Sequence, residues 1–280
     1  FNSELEFEHG TTGNTRGEVS VEQAYVDFKV HENLGIRAGT LLVPMGLQNE
    51  IHEPTTFHGV KRTSVEQNVI PSTWRENGAG VFGDVGPVSY RSYLVTGLQS
   101  TTNTGVSGFT SSTGLRSGRS SGAKSYAEDI ASVTRLDYKP VQGVMVGGSV
   151  YVGQADQSLI AASVPVSLWE GHLKAEYRGA ELRALYAEGR VGNADSVNIA
   201  NGYTNAAKTS VGSKLFGGYV EGAYDVMTLV KNSKGHSLSP FVRYERYDTQ
   251  ARTPSAYSKN PANSRVEYTA GLTYKPIPQV

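Results

Sequence analysis

Two histidines and an acid lie close together in IHEPTTFH: His52, Glu53 and His58. Imidazole and carboxylate are metal donors. The spacing H-E-x4-H, however, departs from the helical H-E-x-x-H pattern, and Pro54 breaks any helix there. Packing of polar loop side chains is therefore expected, with no metal and no cofactor. Nucleophilic catalysis needs a nucleophile, a base and an orienting group that converge in space. Serines are plentiful, but histidines are scarce and no compact Ser/His/acid pattern stands out. The Gly-rich stretches 83–87 and 105–114 lack the strand-to-helix context of a phosphate-binding loop. No catalytic residue is assigned, and the chain is not expected to be an enzyme.

The same histidines belong to a long segment, Thr40 to Gly80, that joins two strand-like stretches. Glu50, His52, Glu53, His58, Lys61, Arg62, Glu66, Arg75 and Glu76 give it both signs of charge. Pro44, Pro54 and Pro71 stiffen it by fixing φ, and Gly46, Gly59, Gly78 and Gly80 allow sharp reversals. A connection of this size is far longer than two adjacent strands require.

The elements that must carry it are strands. Helical periodicity is nearly absent and alternation of period two is widespread. In the segment from Val266, residues Val266, Tyr268, Ala270, Leu272 and Tyr274 share one face, opposite Glu267, Thr269, Gly271 and Thr273. From Gly171, Leu173, Ala175 and Tyr177 oppose His172, Lys174, Glu176 and Arg178; from Val88, Tyr90, Leu94 and Leu98 oppose Ser89, Arg91 and Tyr93. Such stretches cover 1–9, 18–30, 35–43, 78–84, 87–99, 128–139, 143–153, 167–178, 180–191, 213–227, 236–249 and 265–275. Many are near the roughly 9–11 residues with which a tilted strand crosses a bilayer. Tight connections (31–35, 84–87, 139–143, 178–181) alternate with long polar ones (GTTGNTRG, 40–80, 100–127, 153–166, 192–212, 249–265). The connection 228–235 is ambiguous in length. Tyr90, Tyr138, Tyr177, Tyr186, Tyr268 and Tyr274 recur near strand ends, as in the aromatic girdles of membrane barrels.

Bulk properties agree. With 26 Lys+Arg against 26 Asp+Glu, the balance argues against a nucleic-acid partner. The absence of cysteine excludes a disulfide framework and a thiol nucleophile, and is compatible with export. No apolar run approaches the roughly 18–20 residues of a membrane helix. The chain opens on Phe1 inside a strand-like pattern with no visible leader, so a removed leader or a piece of a longer protein is expected. The expected fold class is all-β: a transmembrane antiparallel up-and-down β-barrel. About 12 strands are visible, within a barrel of roughly 14–18. Residues 1–280 form one domain, and 43–78 is the candidate inward-folded constriction.

The segment LGIRAGTLLVPMGLQNE, followed by TTFHGVKRTSVEQNVIPSTWRENGAGVFG, resembles the phosphate-selective porin O and P family of Gram-negative bacteria. Val43, Pro44, Met45 and Gly46 match its corner; Phe57 and Val65 to Pro71 match its middle; Arg75, Gly78 and Gly80 match its return. FNSELEFEHG and EVSVEQAYVDFKV match the preceding strands. The resemblance implies an outer-membrane pore for passive diffusion, narrowed by this loop, with phosphate-like anions as candidate solutes. A basic ladder is expected in phosphate-selective members. Here Lys29, Arg37, Arg91, Arg135, Lys174, Arg178, Arg183 and Arg243 stand on the polar face with Asp27, Asp137, Glu176, Glu181, Glu245 and Glu267. That is a mixed lining with a slight basic excess. The pore and constriction candidates are accordingly Arg37, Glu50, His52, Glu53, His58, Lys61, Arg62, Arg75, Arg91, Arg135, Lys174, Arg178 and Arg243. Expected partners are the bilayer and lipopolysaccharide, and small hydrophilic solutes or ions. A homotrimer is left open. So is the alternative of a structural barrel that holds a surface or periplasmic protein. The composition of the Ser/Thr/Gly-rich run 100–127 suggests mobility, with a disordered surface loop, a partner-binding loop and a phage receptor as open readings.

Overall fold

Successive side chains of an extended chain point to opposite faces, so period-two sequences make two-faced strands. The computed structural model describes residues 1–8, 17–51, 53–103, 106–230 and 235–277. These form a 12-stranded antiparallel sheet in which the strands follow one another in chain order. The first six are β1 (Asn2–Glu8), β2 (Glu18–His31), β3 (Leu34–Leu42), β4 (Arg75–Val85), β5 (Val88–Thr96) and β6 (Ile130–Val141). Then come β7 (Val144–Gln154), β8 (Pro165–Tyr177), β9 (Ala180–Val191), β10 (Lys214–Tyr224), β11 (Ser237–Arg252) and β12 (Ser264–Lys275). Each strand foreseen in the sequence is present, with its ends moved by a few residues. β1 and β12 are the two edges and do not pair with each other among the described residues, so the sheet is open.

One end of the sheet carries the two-residue turns Glu32–Asn33, Gly86–Pro87, Gln142–Gly143 and Arg178–Gly179. The ambiguous 228–235 connection belongs to this end and falls partly outside the described residues. The other end carries 43–74, 97–129, 155–164, 192–213 and 253–263. The opening connection GTTGNTRG lies outside the described residues except for its final Gly17.

Four departures from the alternation have local causes. Arg178 and Gly179 both have positive φ, 48° and 85°, as a two-residue turn of type I′ requires. Arg178 therefore sits in the turn, exposed, with its guanidinium 5.2 Å from the Tyr177 ring centre, and not on the inward face. Leu98 lies beyond the end of β5 and is fully buried, not outward. Between Glu4 and Leu5 the β1–β2 register slips, so that Gln23 faces Glu4 but Val21 faces Leu5. The extra residue is Glu22, which is buried; a bulge of this kind reverses the parity of the residues beyond it. Finally, Arg75 pairs with Leu42, so the long connection is 43–74 and not 43–78.

The two faces differ sharply. One exposes Phe7, Phe28, Leu94, Leu136, Val150, Val220, Val242 and Leu272, among others. Near the short-turn end this face carries Tyr138, Tyr177 and Tyr274; towards the long connections it carries Trp169, Tyr186, Tyr244 and Tyr268. Ring centres of Trp169–Tyr186 and Tyr244–Tyr268 lie 5.5 and 5.2 Å apart. The opposite face carries Arg135, Asp137, Glu170, His172, Arg183, Glu221, Arg243 and Glu245, all buried. An apolar exposed face against a polar buried one inverts the usual soluble pattern.

The hydrophobic core lies between this polar face and two long connections. It includes Met45, Val65, Val69, Ile70, Trp74, Leu98, Phe109 and Leu115 from the connections, and Tyr93, Tyr151, Leu168, Leu215 and Tyr219 from the strands. Two short helices, unforeseen in the sequence, are α1 (Val65–Asn68) and α2 (Ala194–Ala200). Val197 and Asn198 of α2 are fully buried. The expectation of a mobile 100–127 run is corrected. Ser100, Phe109, Leu115 and Ser120 are fully buried. The Thr249 hydroxyl donates to the Ser111 carbonyl and the Tyr203 hydroxyl to that of Phe109. A few apolar anchors set among small residues suffice to pack a chain whose average composition reads as disordered.

Candidate functional site

The site is built where connection 43–74 crosses the polar face of the sheet. It leaves β3 through Val43-Pro44-Met45-Gly46. Its neck is closed by one backbone bond, Val43 N–H to the Trp74 carbonyl at 2.9 Å. Asn49, buried beneath the neck, completes the pairing. Its amide donates to the carbonyls of Val43 (2.7 Å) and Trp74 (2.9 Å), and its side-chain oxygen accepts from Trp74 N–H (2.8 Å). Buried backbone groups require such partners. Trp74 is fully buried and leans on Tyr151 of β7, with ring centres 4.9 Å apart. Gly217 of β10 supplies close approach for α1: a Cβ there would come within 3.0 Å of Val69 and 3.2 Å of Val65.

The wall holds the connection by its backbone. Arg135 of β6 donates to the Gly46 carbonyl. Arg183 of β9 donates to Thr56 O (2.7 Å), Arg243 of β11 to His58 O (3.0 Å), and Lys275 of β12 to Thr55 O (2.7 Å). Wall carboxylates take the reverse role: Glu245 accepts from Val65 N–H (3.2 Å) and Glu267 from the Ser64 hydroxyl (2.7 Å). His58 stacks on Phe241, its ring nitrogens 3.1 Å from the Thr273 hydroxyl and 3.3 Å from Glu181. A connection that leaves β3 thus reaches β12, at the other edge of the sheet.

The wall arginines that hold the connection or lie beneath it are each backed by a carboxylate, whereas Lys275 meets only the Thr55 carbonyl among the described residues. Arg135 lies 2.9 Å from Asp137 and Arg243 2.6 Å from Glu221, while Arg183 pairs with Glu181. Arg91 bridges Glu50 of the connection (3.1 Å) and Asp137 (3.2 Å). His172 lies 2.9 Å from both Asp137 and Glu170. Farther along the wall, Arg37 makes two bonds to Asp27, at 2.7 and 2.8 Å, with its guanidinium 3.9 Å from the Tyr25 ring centre. Lys174 pairs with Glu176 at 2.6 Å, and Arg75 with Glu22 at 3.5 Å.

The remaining candidates divide. His52 lies outside the described residues. Glu53 is exposed, and its carbonyl accepts from Thr56. Lys61 is exposed beside a cleft of about 400 Å³ shared with Arg62, Ser64, Gln67, Arg265 and Glu267. Arg62 donates to the Thr73 hydroxyl at 2.7 Å, and burial lowers its pKa. On the other side of the connection, Glu50, Thr56, Arg91, Arg135, Lys174 and Arg183 line a smaller cleft of about 170 Å³. The structure thus gathers Glu50, Arg91, Arg135 and Lys174 in one cleft, and His58, Lys61, Arg62 and Arg243 around the other. Arg37 and Arg75 stand apart. Lys275 was not foreseen, although strand parity places it on the polar face; Arg183 and Glu181 were placed on that face but not among the constriction residues.

Glu66 is the most unusual acid of the connection. It is fully buried, accepts from the Tyr219 hydroxyl (2.7 Å) and Gln48 N–H (2.8 Å), and its pKa is pushed up to about 7 by burial. A folded-state pKa above the unfolded one means that the folded chain holds the proton more tightly. Stability should therefore fall as pH rises from about 4.5 to about 7, with Glu66 contributing a loss of about 3 kcal/mol. Urea midpoints at pH 5 and pH 8 check this: Glu66→Gln should reduce the difference by about that amount. A variant that retains the full pH slope would exclude Glu66 as its source.

The second long connection closes over the first. Arg119 donates to the Ser72 and Thr73 carbonyls, and burial pushes its pKa down to about 10. Glu76, at the start of β4, accepts from Ser120, from the Trp74 indole (3.3 Å) and from the Thr96 hydroxyl (3.1 Å). Among the described residues no group of three or more His, Cys, Asp or Glu could hold a metal ion.

No family model matches the chain. An uncharacterized protein of Aquifex aeolicus (strain VF5) is 34% identical over 286 residues, covering 100% of this chain and 64% of its own length. The chain thus spans less than two thirds of the curated relative that it matches. Among solved structures it is similar to OccK3 (OpdO) of Pseudomonas aeruginosa, with 12% identity and a TM-score of 0.38 over 92% of this chain and 69% of that one. OccD3 (OpdP) of the same organism gives 12% identity and 0.39 over 91% and 67%. A BenF-like porin from Pseudomonas fluorescens Pf-5 gives 11% identity and 0.33 over 93% and 73%.

Proposed function

We propose that the chain forms the wall and the constriction of an outer-membrane porin, through which small hydrophilic solutes pass by passive diffusion in a Gram-negative cell. The observation that carries this reading is the path of connection 43–74 across the polar face, bonded to strands from β6 to β12. A loop so placed narrows whatever lumen the wall encloses, and pore width and lining charge then set what passes. Supporting it, the opposite face is apolar between two aromatic rows, as a lipid-facing band is. The long connections would face outward and the short turns the periplasm. Unpaired strand edges are costly in hydrocarbon, so β1 and β12 are read as joined through further strands into a wider closed barrel.

Carboxylate pairing bears on selectivity. Arg37, Arg91, Arg135, Lys174, Arg183 and Arg243 each face a carboxylate within ion-pair distance. A wall neutralised in this way supports weak ion selectivity rather than a phosphate-specific pore. The test is single-channel recording of the full-length natural protein in a planar bilayer under a KCl gradient. Steady ohmic conductance with a reversal potential close to zero is expected. A strongly anionic reversal potential would overturn weak selectivity. Absence of conductance from a folded sample would overturn the channel and leave a structural barrel.

A further inference from the structure

The outer face of β7 to β11 carries an apolar groove that the pore reading does not use. Its volume is about 640 Å³. Gly171 and Gly218 lie in its floor, on either side of Tyr186 in register. Val146, Leu173, Phe216, Val220 and Tyr244 form its walls. At its lip, Arg246 of β11 lies opposite Gly218. Arg246 is exposed and has no hydrogen-bond or ion-pair partner among the described residues.

Arg246 is not isolated. Towards the long connections the register sets Glu188 opposite Phe216, and Phe216 opposite Asp248. The next pair of the same parity on β9 and β10 sets Arg190 opposite Lys214, and past a register shift on β11 Lys214 lies opposite Arg252. Arg190 and Lys214 share the one carboxylate of Glu188, at 3.2 and 2.8 Å. Asp248 is buried and accepts from Gln250 N–H at 2.8 Å. Arg190, Lys214, Arg246 and Arg252 therefore outnumber the two carboxylates among them. This rim is cationic, while the strand faces below it are apolar.

We propose that the groove and its rim bind lipid A, the phosphorylated and acylated lipid of the outer leaflet. An acyl chain would lie in the groove and the phosphates would meet Arg246 and Lys214. The proposal rests on the porin reading, because that reading turns this face to lipid and the long connections to the outer leaflet. A second copy of the chain fits less well, since it would bring the same cationic rim against its twin.

Native mass spectrometry of the full-length protein in detergent tests it, with added diphosphoryl lipid A or phosphatidylglycerol as the probes. The protein is expected to keep a lipid A adduct under conditions that strip phosphatidylglycerol. The double variant Arg246→Gln, Lys214→Gln removes two surface cations and should weaken that adduct roughly tenfold or more, with conductance unchanged. Arg246→Lys should retain most of it. Heat-modified gel mobility reports folding, and Arg190→Gln supplies an independent rim variant if the double variant folds poorly. Equal retention of phosphatidylglycerol, or an adduct indifferent to both rim variants, would overturn the site. Oligomerisation that occludes the groove without lipid would also overturn it. A sample that conducts yet binds no lipid A sinks this inference alone. A folded sample that does not conduct sinks the porin reading.

Discussion

Replacement of Arg243 by methionine should release the tip of connection 43–74 and cost more stability than any other single change in the wall. Arg243 is buried between two buried carboxylates, 2.6 Å from Glu221 and 3.6 Å from Glu245. Its guanidinium also donates to the carbonyls of His58 (3.0 Å) and Lys61 (3.5 Å). Methionine preserves volume but leaves Glu221 and Glu245 facing each other without the cation. Removing one partner from a buried pair costs about 3–5 kcal/mol, because the remaining charge stays desolvated. The urea midpoint should drop by that order. Single-channel current should rise or flicker, because the connection loses the bond beside His58. Arg178→Met, in the exposed turn, should leave both unchanged. If the Arg243 variant is destabilised but conducts as the parent does, the cation holds the wall and not the constriction. Arg183→Met, which removes the bond to Thr56, then provides an independent test of the clamp.

Trp74→Ala should produce a loss of similar size by another mechanism. Trp74 is fully buried, packs against Tyr151, and its indole donates to Glu76. Truncating a buried Trp costs about 3–5 kcal/mol through lost contacts and the cavity left behind. The cavity would open at the neck shared by both long connections, where Asn49 and Arg119 also bind. Trp74→Phe should recover much of the loss. The chain has two tryptophans, and Trp169 lies on the outer face. A Trp169→Phe background therefore makes Trp74 emission a local reporter. Two separate unfolding transitions, an early one in Trp74 emission and a later one in sheet circular dichroism, would show that the connections unlock before the barrel. A single coincident transition would show that connections and wall unfold together.

The strands, their order and their faces were legible in the amino-acid order alone. Period-two alternation is a local property: a residue two positions away shares a face whatever the rest of the chain does. Thus Val266, Tyr268 and Leu272 face outward and Glu267 inward, as alternation requires. The long connection between β3 and β4 was visible too, because turn residues and strand ends are local signals. Whatever depends on what one segment meets across space came from the three-dimensional fold. No pattern near Ser111 indicates that Thr249 will bind its carbonyl, and so the small-residue run read as mobile although it is buried. Alternation placed Arg178 inward, but a turn of two positive-φ residues ended the strand first. The polar face read as a mixed lining with a slight basic excess, because sequence shows charge without distance. The fold sets a carboxylate beside Arg37, Arg91, Arg135, Arg183 and Arg243 and turns Arg135, Arg183 and Arg243 towards backbone carbonyls of the connection, some 90 to 190 residues away along the chain. Strand pairing brings such groups together by register, and the loop path then selects which of them it meets.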